Sequence, residues 1–205
     1  IGGISNITIV LRANGKIEEN IEAFDSGPGN CLIDEWIRVN SKKKFDNDGL
    51  IAQSGKIDQL ILNQAIDNFE IQSYDKSLDI KNFDTSFARG LSLEDGCATI
   101  TSFTAYLIAK GIEYSNKDKS KNIKYLICGG GRKNNFLINC IKDYSSNQTN
   151  ISLDIIDNYK YDGDYIESQA FGYLAIRSFL NLPISFPKTT GCDKPTVGGK
   201  IVENF

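Results

Sequence analysis

Residues 123–136 read Ile-Lys-Tyr-Leu-Ile-Cys-Gly-Gly-Gly-Arg-Lys-Asn-Asn-Phe. A short apolar run enters three consecutive glycines, and apolar residues return at helical spacing from Phe136 onward. This pattern predicts a strand, a glycine loop and a helix. Glycines let a ligand approach the backbone closely, and the N–H groups that open a helix carry partial positive charge, so the unit suits a nucleotide or another anion. An ordinary tight turn between a strand and a helix would contain the same glycines.

The segments before this loop alternate between strand and helix patterns. Residues 7–11 and 17–24 predict a β-hairpin with its turn at Ala-Asn-Gly, residues 13–15. A helix is expected after Asn30, and its apolar face would carry Leu32, Ile33, Trp36 and Ile37. The remaining segments are a polar excursion at 41–55, a helix at 57–69, an irregular connection at 74–88 and a helix from Ser92 to a stop at Gly111.

The segments after the loop continue the alternation. We expect a helix at 133–144, a strand at 151–156 and a helix that begins at Asp164. The last helix is apolar nearly all round from residue 170 to 180, which is typical of a buried helix. The proline-containing tail is predicted to be extended across the surface. Together these segments indicate an α/β fold with a mixed sheet flanked by helices.

Composition restricts the class of protein. The chain has 205 residues, 40% hydrophobic content and a net charge of -3, which suits a globular domain and not the basic surface of a nucleic-acid binder. No apolar run approaches the length of a membrane span. The five cysteines are odd in number and contain no C-x-x-C pair, so a reducing cytoplasm fits better than a disulfide framework. We expect a cytoplasmic protein with no nucleic-acid and no membrane partner.

Two residue types are missing from the sequence. Histidine does not occur, which excludes triads with an imidazole base and His-ligated metal sites for this chain acting alone. Methionine does not occur either, and Gly2 and Gly3 follow the first residue directly, so we expect a fragment of something longer.

Two nucleotide-binding motifs can be tested against the glycines, and both fail. A Rossmann motif would need a glycine where Asn134 stands, since that glycine lets helix and strand pack closely. A Walker A motif needs four residues between its glycines, whereas Gly49 and Gly55 have five between them.

Three glycine loops remain as candidates: residues 2–6, residues 27–30 and residues 129–131. Each borders an expected strand or helix end, where backbone N–H groups can converge on oxygen anions. A single loop of this kind is more often a turn than a site. Three of them in an acidic α/β chain favour an enzyme that handles nucleotides.

Four motifs carry a resemblance to a known family. They are Gly-Gly-Ile-Ser-Asn-Ile-Thr at 2–8, Phe-Asp-Ser-Gly-Pro-Gly-Asn at 24–30, Leu-Ile-Cys-Gly-Gly-Gly at 126–131 with Asn134, and Tyr-Ile-Glu-Ser-Gln-Ala-Phe at 165–171. In this order they closely resemble anhydro-N-acetylmuramic acid kinase. The resemblance spans nearly the whole chain, but it covers only the second half of that enzyme.

The resemblance implies a fold. The family belongs to the sugar kinase, actin and heat-shock chaperone superfamily, in which two ribonuclease-H-like lobes close over a nucleotide. Residues 1–205 would be the second, C-terminal lobe, which binds nucleotide, and the first lobe would lie outside this chain. Family members pair as dimers, so a homodimer is implied.

The resemblance also implies a reaction. Water opens the 1,6-anhydro ring of anhydro-N-acetylmuramic acid while ATP, with Mg2+, phosphorylates the freed O6, giving N-acetylmuramic acid 6-phosphate. The implied nucleotide-binding residues are Gly2, Gly3, Ser5, Asn6, Gly27, Gly29, Asn30, Gly129, Gly130, Gly131 and Asn134. Phosphates are expected near Gly3 and Asn6, and adenosine near residues 129–131. The family's general base lies upstream of these motifs, so no catalytic residue is expected in this chain.

Two carboxylates have two interpretations each. By resemblance Glu167 lies near the anhydrosugar, but Asp164 followed three residues later by Glu167 is also a capping box. Asp25 either orients Mg2+ through water or forms an Asx turn ahead of Gly27.

Side chains beside the motifs are assigned in the same way. We expect Trp36, Phe171, Tyr173 and Cys128 in the core. For Arg132 and Lys133 a nucleotide contact and simple solvation stay open.

Two other functions stay open as well. The chain could be a degenerate or separately encoded lobe that acts as a non-catalytic nucleotide-binding or dimerisation module. It could also be a generic acidic α/β domain whose glycines form ordinary turns.

Overall fold

The computed structural model describes residues 1–10, 20–69 and 73–202. Its strands are β1 (Ser5–Val10), β2 (Ile21–Gly27), β3 (Ile123–Ile127) and β4 (Ile151–Ile155). β1 and β2 pair antiparallel, and β3 and β4 pair parallel. Helices flank these small sheets, so the predicted α/β class is confirmed. The expected hairpin turn at 13–15 and the first residues of its second strand, 17–19, lie outside the described residues.

The expectation of one mixed sheet is wrong for the described part of the chain. Its strands form two separate two-stranded sheets, one antiparallel and one parallel. A cavity of about 400 Å³ lies between β1 and β3, where a continuous sheet would need hydrogen bonds between neighbouring strands.

The α-helices of the described residues are α1 (Cys31–Asn40), α2 (Leu50–Ser54), α3 (Gln59–Asn68), α4 (Leu93–Ser115), α5 (Asn135–Ser145), α6 (Ile166–Phe179) and α7 (Pro187–Thr190). Short 3-10 turns occur at Asn47–Gly49, Ile80–Asn82, Ser86–Ala88, Gly130–Lys133 and Ile156–Tyr159. Within these residues no helix is both long and apolar enough to cross a bilayer.

Helix α4 is the centre of the molecule. It begins as predicted, because Ser92 Oγ accepts a hydrogen bond from the Asp95 N–H at 3.0 Å. The predicted stop at Gly111 is wrong, since the helix continues to Ser115. A Cβ at Gly111 would lie only 2.5 Å from the Ser26 Cβ. The glycine therefore permits close packing of α4 on β2 and does not end the helix.

Two apolar clusters lie along α4. One joins α4 to α1, α2 and α3 and contains Leu32, Leu62 and Phe103. The other joins α4 to β1, β3 and α5 and contains Ile7 and Leu137. The predicted apolar face of α1 is buried, and the Trp36 indole N–H also donates to the Leu93 carbonyl at 2.9 Å.

The segment 41–55, expected to be a polar excursion, contains helix α2. Asp46 is buried, and its carboxylate oxygens accept from the N–H groups of Ile51 and Ala52 at 2.8 and 3.0 Å. A carboxylate that binds the donors of the first turn stabilises a short helix. Because Asp46 stands several residues ahead of those donors, the usual capping pattern does not reveal it.

Helix α6 departs furthest from expectation. It begins at Ile166, after the expected Asp164, and none of its residues is buried. Phe171 is 64% exposed and Tyr173 is 54% exposed, so their expected place in the core is wrong. The following tail is not simply extended, because it forms α7 and an isolated bridge between Ser185 and Thr196.

Candidate functional site

The three glycine loops predicted from the sequence meet at one place. The Asn30 N–H donates to the Gly2 carbonyl at 2.8 Å, which joins the start of α1 to the first loop. The Gly131 N–H donates to the Ile1 carbonyl at 3.0 Å, which joins the first loop to the loop after β3. Residues remote in sequence therefore form one cluster of backbone turns.

Glycine is required at two positions of this cluster. Gly29 has a φ of +53°, and a Cβ there would lie 2.5 Å from the Gly2 carbonyl oxygen. Gly129 has a φ of +79°, and a Cβ there would lie 2.6 Å from the Ile1 carbonyl oxygen. Any other residue would be strained and would also push the first loop away.

The start of α1 directs its donors at the first loop. The N–H groups of Asn30 and Cys31 bond to the carbonyl oxygens of Gly2 and Gly3 at 2.8 and 3.1 Å. An anion at a helix start would normally use such donors. In this arrangement they position the backbone of the first loop, so a phosphate has to be held by other groups.

A cavity of about 300 Å³ opens beside Gly130, and we call it the Gly130 cavity. A Cβ at Gly130 would be 3.9 Å from its nearest neighbour in the fold, the Asn30 side-chain amide nitrogen, so the backbone is open to the cavity. Burial raises the pKa of Asp34 on its wall. Its lining residues are Asn30, Ile33, Asp34, Phe45, Asp46, Asn47, Asp48, Gly130, Lys133 and Asn134. Its size is at the lower limit of small-ligand sites.

Arg132 is buried behind the glycine loop and is not solvated. Its guanidinium donates to the Asp157 and Asp164 carboxylates, with shortest contacts of 2.7 Å, and to the Gly129 carbonyl at 3.1 Å. Hydrogen bonds with Asp157 and Asp164 raise the Arg132 pKa further. The side chain therefore fixes the conformation of the glycine loop. Lys133 is half-exposed and pairs with Asp164 at 2.6 Å.

Asn134 has a local structural role. Its side-chain oxygen accepts from the Leu137 N–H at 2.9 Å and caps the start of α5. This role explains an asparagine at the position where a Rossmann motif has glycine. The capping interaction is compatible with lining the Gly130 cavity, and the proposed nucleotide contact stays a prediction.

A second cavity of about 380 Å³ lies at the other side of the first loop, and we call it the Asp25 cavity. Asp25 accepts from the Asn6 side-chain amide at 3.0 Å and from the Leu78 N–H at 2.8 Å. Its carboxylate thus ties β2 to the connection after α3, in place of the Asx turn ahead of Gly27. The cavity also has hydroxyl and amide groups from the α7 segment, including Thr189.

Two lysines stand at the edge of the Asp25 cavity. Lys117 and Lys188 contact the Glu22 carboxylate at 3.4 and 2.9 Å. The hydrogen bond from Lys188 lowers the Glu22 pKa. The contact of Lys188 also attaches the C-terminal segment to β2.

A family model described as anhydro-N-acetylmuramic acid kinase matches residues 1–204. The chain belongs to this family.

Curated relatives carry the same family name. A Pelagibacter ubique protein named anhydro-N-acetylmuramic acid kinase is 50% identical over 208 residues, covering 100% of this chain and 54% of the relative. Proteins of that name from Zymomonas mobilis and Rhodospirillum rubrum are 36% and 35% identical, over 98% and 97% of this chain and 52% and 50% of the relatives. The chain spans about half the length of the curated relatives it matches.

Not every residue proposed from the resemblance to the anhydro-N-acetylmuramic acid kinase family lines the Gly130 cavity or the Asp25 cavity. Ser5 is buried, and its hydroxyl receives a hydrogen bond from Ser26 at 3.0 Å. A Cβ at Gly27 would lie 3.1 Å from Leu107, so this glycine lets β2 approach α4. Both residues stabilise the loops through these contacts with β2 and α4. A direct nucleotide contact by either stays a prediction.

Glu167 lies in the first turn of α6 and is exposed. It lines neither the Gly130 cavity nor the Asp25 cavity. The predicted capping box with Asp164 is wrong, because Asp164 bonds to Arg132 and the residue before the helix is Tyr165. The charge of Arg132 competes more strongly for the carboxylate than a neutral helix N–H does.

No group of three or more Cys, Asp or Glu side chains suited to a metal ion occurs in the described part of the chain. Asp25 accepts one hydrogen bond on each carboxylate oxygen, and its predicted contact with Mg2+ through water stays a prediction. A Mg2+ ion bound with a nucleotide needs only one or two carboxylates beside the phosphates and water, so the lack of such a group does not decide whether Mg2+ is used.

Sequence reasoning missed Asp46 and Asp157, because their partners lie far along the chain. Asp157 meets Arg132 across 25 residues. The available signal for this ion pair was the acidic stretch 154–164 together with an arginine in the glycine loop. Pairing between two such segments is set by the fold, so the motif by itself does not identify it.

Proposed function

We propose that this chain is the second, nucleotide-binding lobe of an ATP-dependent sugar kinase with an actin-like ATPase fold. The enzyme hydrolyses the 1,6-anhydro ring of anhydro-N-acetylmuramic acid and phosphorylates O6, giving N-acetylmuramic acid 6-phosphate for cell-wall recycling. One observation carries the proposal: the family match runs over residues 1–204. The convergence of the three glycine motifs supports it. We also propose that the complete protein is a cytoplasmic homodimer. Its first lobe is supplied by the longer protein.

The two cavities support a proposed position for the nucleotide. Adenosine lies in the Gly130 cavity beside the loop at residues 129–131, where the backbone of Gly130 is open, and the phosphates lie toward Gly3 and Asn6. ATP supplies the phosphoryl group. Phosphoryl transfer needs mainly positioning and charge stabilisation, which backbone donors on a rigid loop provide. Arg132 contributes from behind by holding the Gly129 carbonyl.

The sugar side of the reaction needs groups beyond this lobe. Activation of the attacking water requires a general base, which we place in the first lobe. Glu167 is proposed to bind the anhydrosugar from the exposed start of α6, where it is accessible to a facing lobe. Mg2+ would be held mainly by the ATP phosphates, with Asp25 orienting it through water, and would offset the charge on the transferring phosphoryl group.

The direct test measures ADP release by the complete protein with ATP and anhydro-N-acetylmuramic acid. We expect release of ADP together with the 6-phosphate product, and no turnover by the 205-residue chain alone. ADP release with a different sugar but not with this one would overturn the substrate. Nucleotide binding by the complete protein without turnover on any sugar would support the alternative of a non-catalytic module.

A glycine pair tests the loop cluster. Gly29→Ala should displace the first loop, and kcat/KM for ATP should fall about 100-fold, since a displacement of about 1 Å can have that effect. Gly90→Ala is the matched control, because Gly90 also has a positive φ but has no atom within 4 Å of its would-be Cβ. Equal kcat/KM values for the two variants would contradict the proposed role of the cluster.

A further inference from the structure

Arg132 lies between the glycine loop and the segment that leads into α6. Its side chain is only 5% exposed, although it follows directly on the loop at residues 129–131. The two carboxylates that pair with it most closely, Asp157 and Asp164, both belong to the chain between β4 and α6. One buried side chain therefore contacts both the proposed nucleotide loop and the approach to an exposed helix.

The guanidinium binds its partners through three different nitrogens. Nε and Nη2 donate to the two carboxylate oxygens of Asp157 at 2.7 and 3.1 Å, which makes a bidentate pair. Nη1 donates to Asp164 at 2.7 Å and to the Gly129 carbonyl at 3.1 Å. Because the guanidinium is planar and its donors have a fixed geometry, it holds these three acceptors in one arrangement.

The backbones of the two segments also meet beside the guanidinium. The Gly129 N–H donates to the Gly163 carbonyl at 3.3 Å. A Cβ at Gly163 would overlap the Arg132 guanidinium, so a glycine at this position lets the chain pass directly over that group. The contacts around Arg132 thus include side-chain and backbone bonds between the same two segments, and we call them the Arg132 junction.

Apolar packing does not set the position of α6 among the described residues, because none of its residues is buried. Asp164 stands two residues before the helix begins at Ile166. A buried ion pair adds little net stability, but it can specify one arrangement, since an unpaired buried charge is costly. We therefore expect the first turn of α6, which carries Glu167, to follow the position of the glycine loop.

We propose that Arg132 is a positioning residue that couples nucleotide binding to sugar binding, because it holds the start of α6 and Glu167 at one place relative to the glycine loop. The inference rests on the proposed function, which places nucleotide at the loop and sugar at Glu167. A nucleotide that restrains the loop also restrains Glu167 through the Arg132 junction. The entropy of ordering is then lost only once, so each ligand binds more tightly when the other is present.

The experiment is isothermal titration calorimetry on the complete protein, with a non-hydrolysable ATP analogue and anhydro-N-acetylmuramic acid. The measured quantity is the coupling factor, which is the Kd of the sugar alone divided by its Kd with saturating analogue. We expect a coupling factor of about 10 in the wild type. Titrating the analogue with and without the sugar must give the same factor, because coupling between two binding sites is reciprocal.

Two variants remove the Arg132 junction from opposite sides. Arg132→Gln and Asp164→Asn should each lower the coupling factor below about 2, and the double variant should match them, since all three remove one connection. The Asp164 side chain is 46% exposed, so its replacement tests the junction without a buried substitution. Arg89→Gln changes an exposed arginine outside both cavities and should keep a factor of about 10. A purely structural role would weaken each ligand's binding equally with and without the other and leave the factor unchanged.

Hydrogen exchange gives a second readout that does not use the sugar. The analogue alone should slow exchange of α6 amides from Gln169 onward about fivefold in the wild type but not in Asp164→Asn. Equal slowing in both proteins, or a coupling factor that is near 1 in the wild type or unchanged in both junction variants, would overturn the inference and leave the proposed function intact. A complete protein that did not bind the analogue would instead overturn the proposed function, and this inference with it.

Discussion

Helices α4 and α6 are both largely apolar, but their surroundings are opposite. Most of α4 is buried between two apolar clusters, whereas no residue of α6 is buried. Phe103 of α4 is 3% exposed, and Phe179 of α6 is 73% exposed. Apolar content indicates that a helix can be buried, but the elements that cover it are remote in sequence. The comparison separates what a helix pattern determines from what tertiary packing adds.

The two helices also differ in how their regions are attached. The region around α4 is held by apolar side chains that interdigitate. The C-terminal segment that carries α6 is attached to it by charged contacts, including Arg132 with Asp164 and Lys188 with Glu22. Apolar packing and partly exposed ion pairs differ in strength and in their response to pH.

The largest effect is expected from truncating an aromatic residue in each helix. Phe103→Ala removes a ring that contacts Phe69 and Phe87 and should lower the free energy of unfolding by about 3–5 kcal/mol. Phe179→Ala, the matched control, should change it by less than about 0.5 kcal/mol. Urea unfolding of both variants provides the measurement. A similar loss for Phe179→Ala would mean that α6 is covered in solution.

A glycine in each helix gives the next effect. Gly111→Ala places a Cβ 2.5 Å from the Ser26 Cβ and should destabilise the protein by about 1–3 kcal/mol. Gly172→Ala in α6 meets no atom within 4 Å and should stabilise by up to about 1 kcal/mol through helix propensity. Thermal unfolding distinguishes the two signs. Stabilisation by both substitutions would contradict close packing of α4 on β2.

Removing the buried guanidinium tests the charged attachment. Arg132→Gln should lower the free energy of unfolding by about 1–2 kcal/mol, a range reduced for solvent screening because the partner carboxylates are partly exposed. Lys133→Gln, which removes only a half-exposed contact, should change it by less than about 0.5 kcal/mol. Hydrogen exchange should also show faster opening of residues 157–166 in Arg132→Gln alone. Unchanged exchange there would contradict an attachment through Arg132.

Sequence patterns predicted most elements, because the signals that form them are local. Ser92 caps α4, and the apolar spacing that includes Leu32 and Trp36 gives the buried face of α1. Gly111 was misinterpreted since a helix stop and a close packing contact both favour glycine. The prediction that α6 is buried was wrong, because no local pattern shows which surface will cover a helix.

The candidate site divides in the same way. The glycine motifs could be found because close backbone approach at Gly29 and Gly129 leaves a recognisable residue type. The interaction of Asp157 with Arg132 could not be found, because 25 residues separate them and many carboxylates are present. The binding roles of Glu167 and the glycine loops stay predictions, and measuring ligand binding tests them.

The smallest expected effect is the pH dependence of the attachment of α6. Hydrogen bonds from Arg132 and then Lys133 lower the pKa of Asp164 to about 2, and Arg132 also lowers the pKa of Asp157. An unfolded aspartate has a pKa of about 3.9, so the contribution to stability is complete above that pH and is lost as the pH falls toward 2. Exchange of α6 amides should therefore increase as the pH falls from about 4, before the fluorescence of Trp36 in the α4 region changes. Asp164→Asn should flatten this dependence but leave the part due to Asp157. Exchange rates are corrected for the intrinsic pH dependence of amide exchange before the two proteins are compared. If the α6 amides then had the same pH profile in wild type and Asp164→Asn, contacts other than this ion pair would hold the segment. In that case α6 would resemble α4 more closely than its exposure suggests.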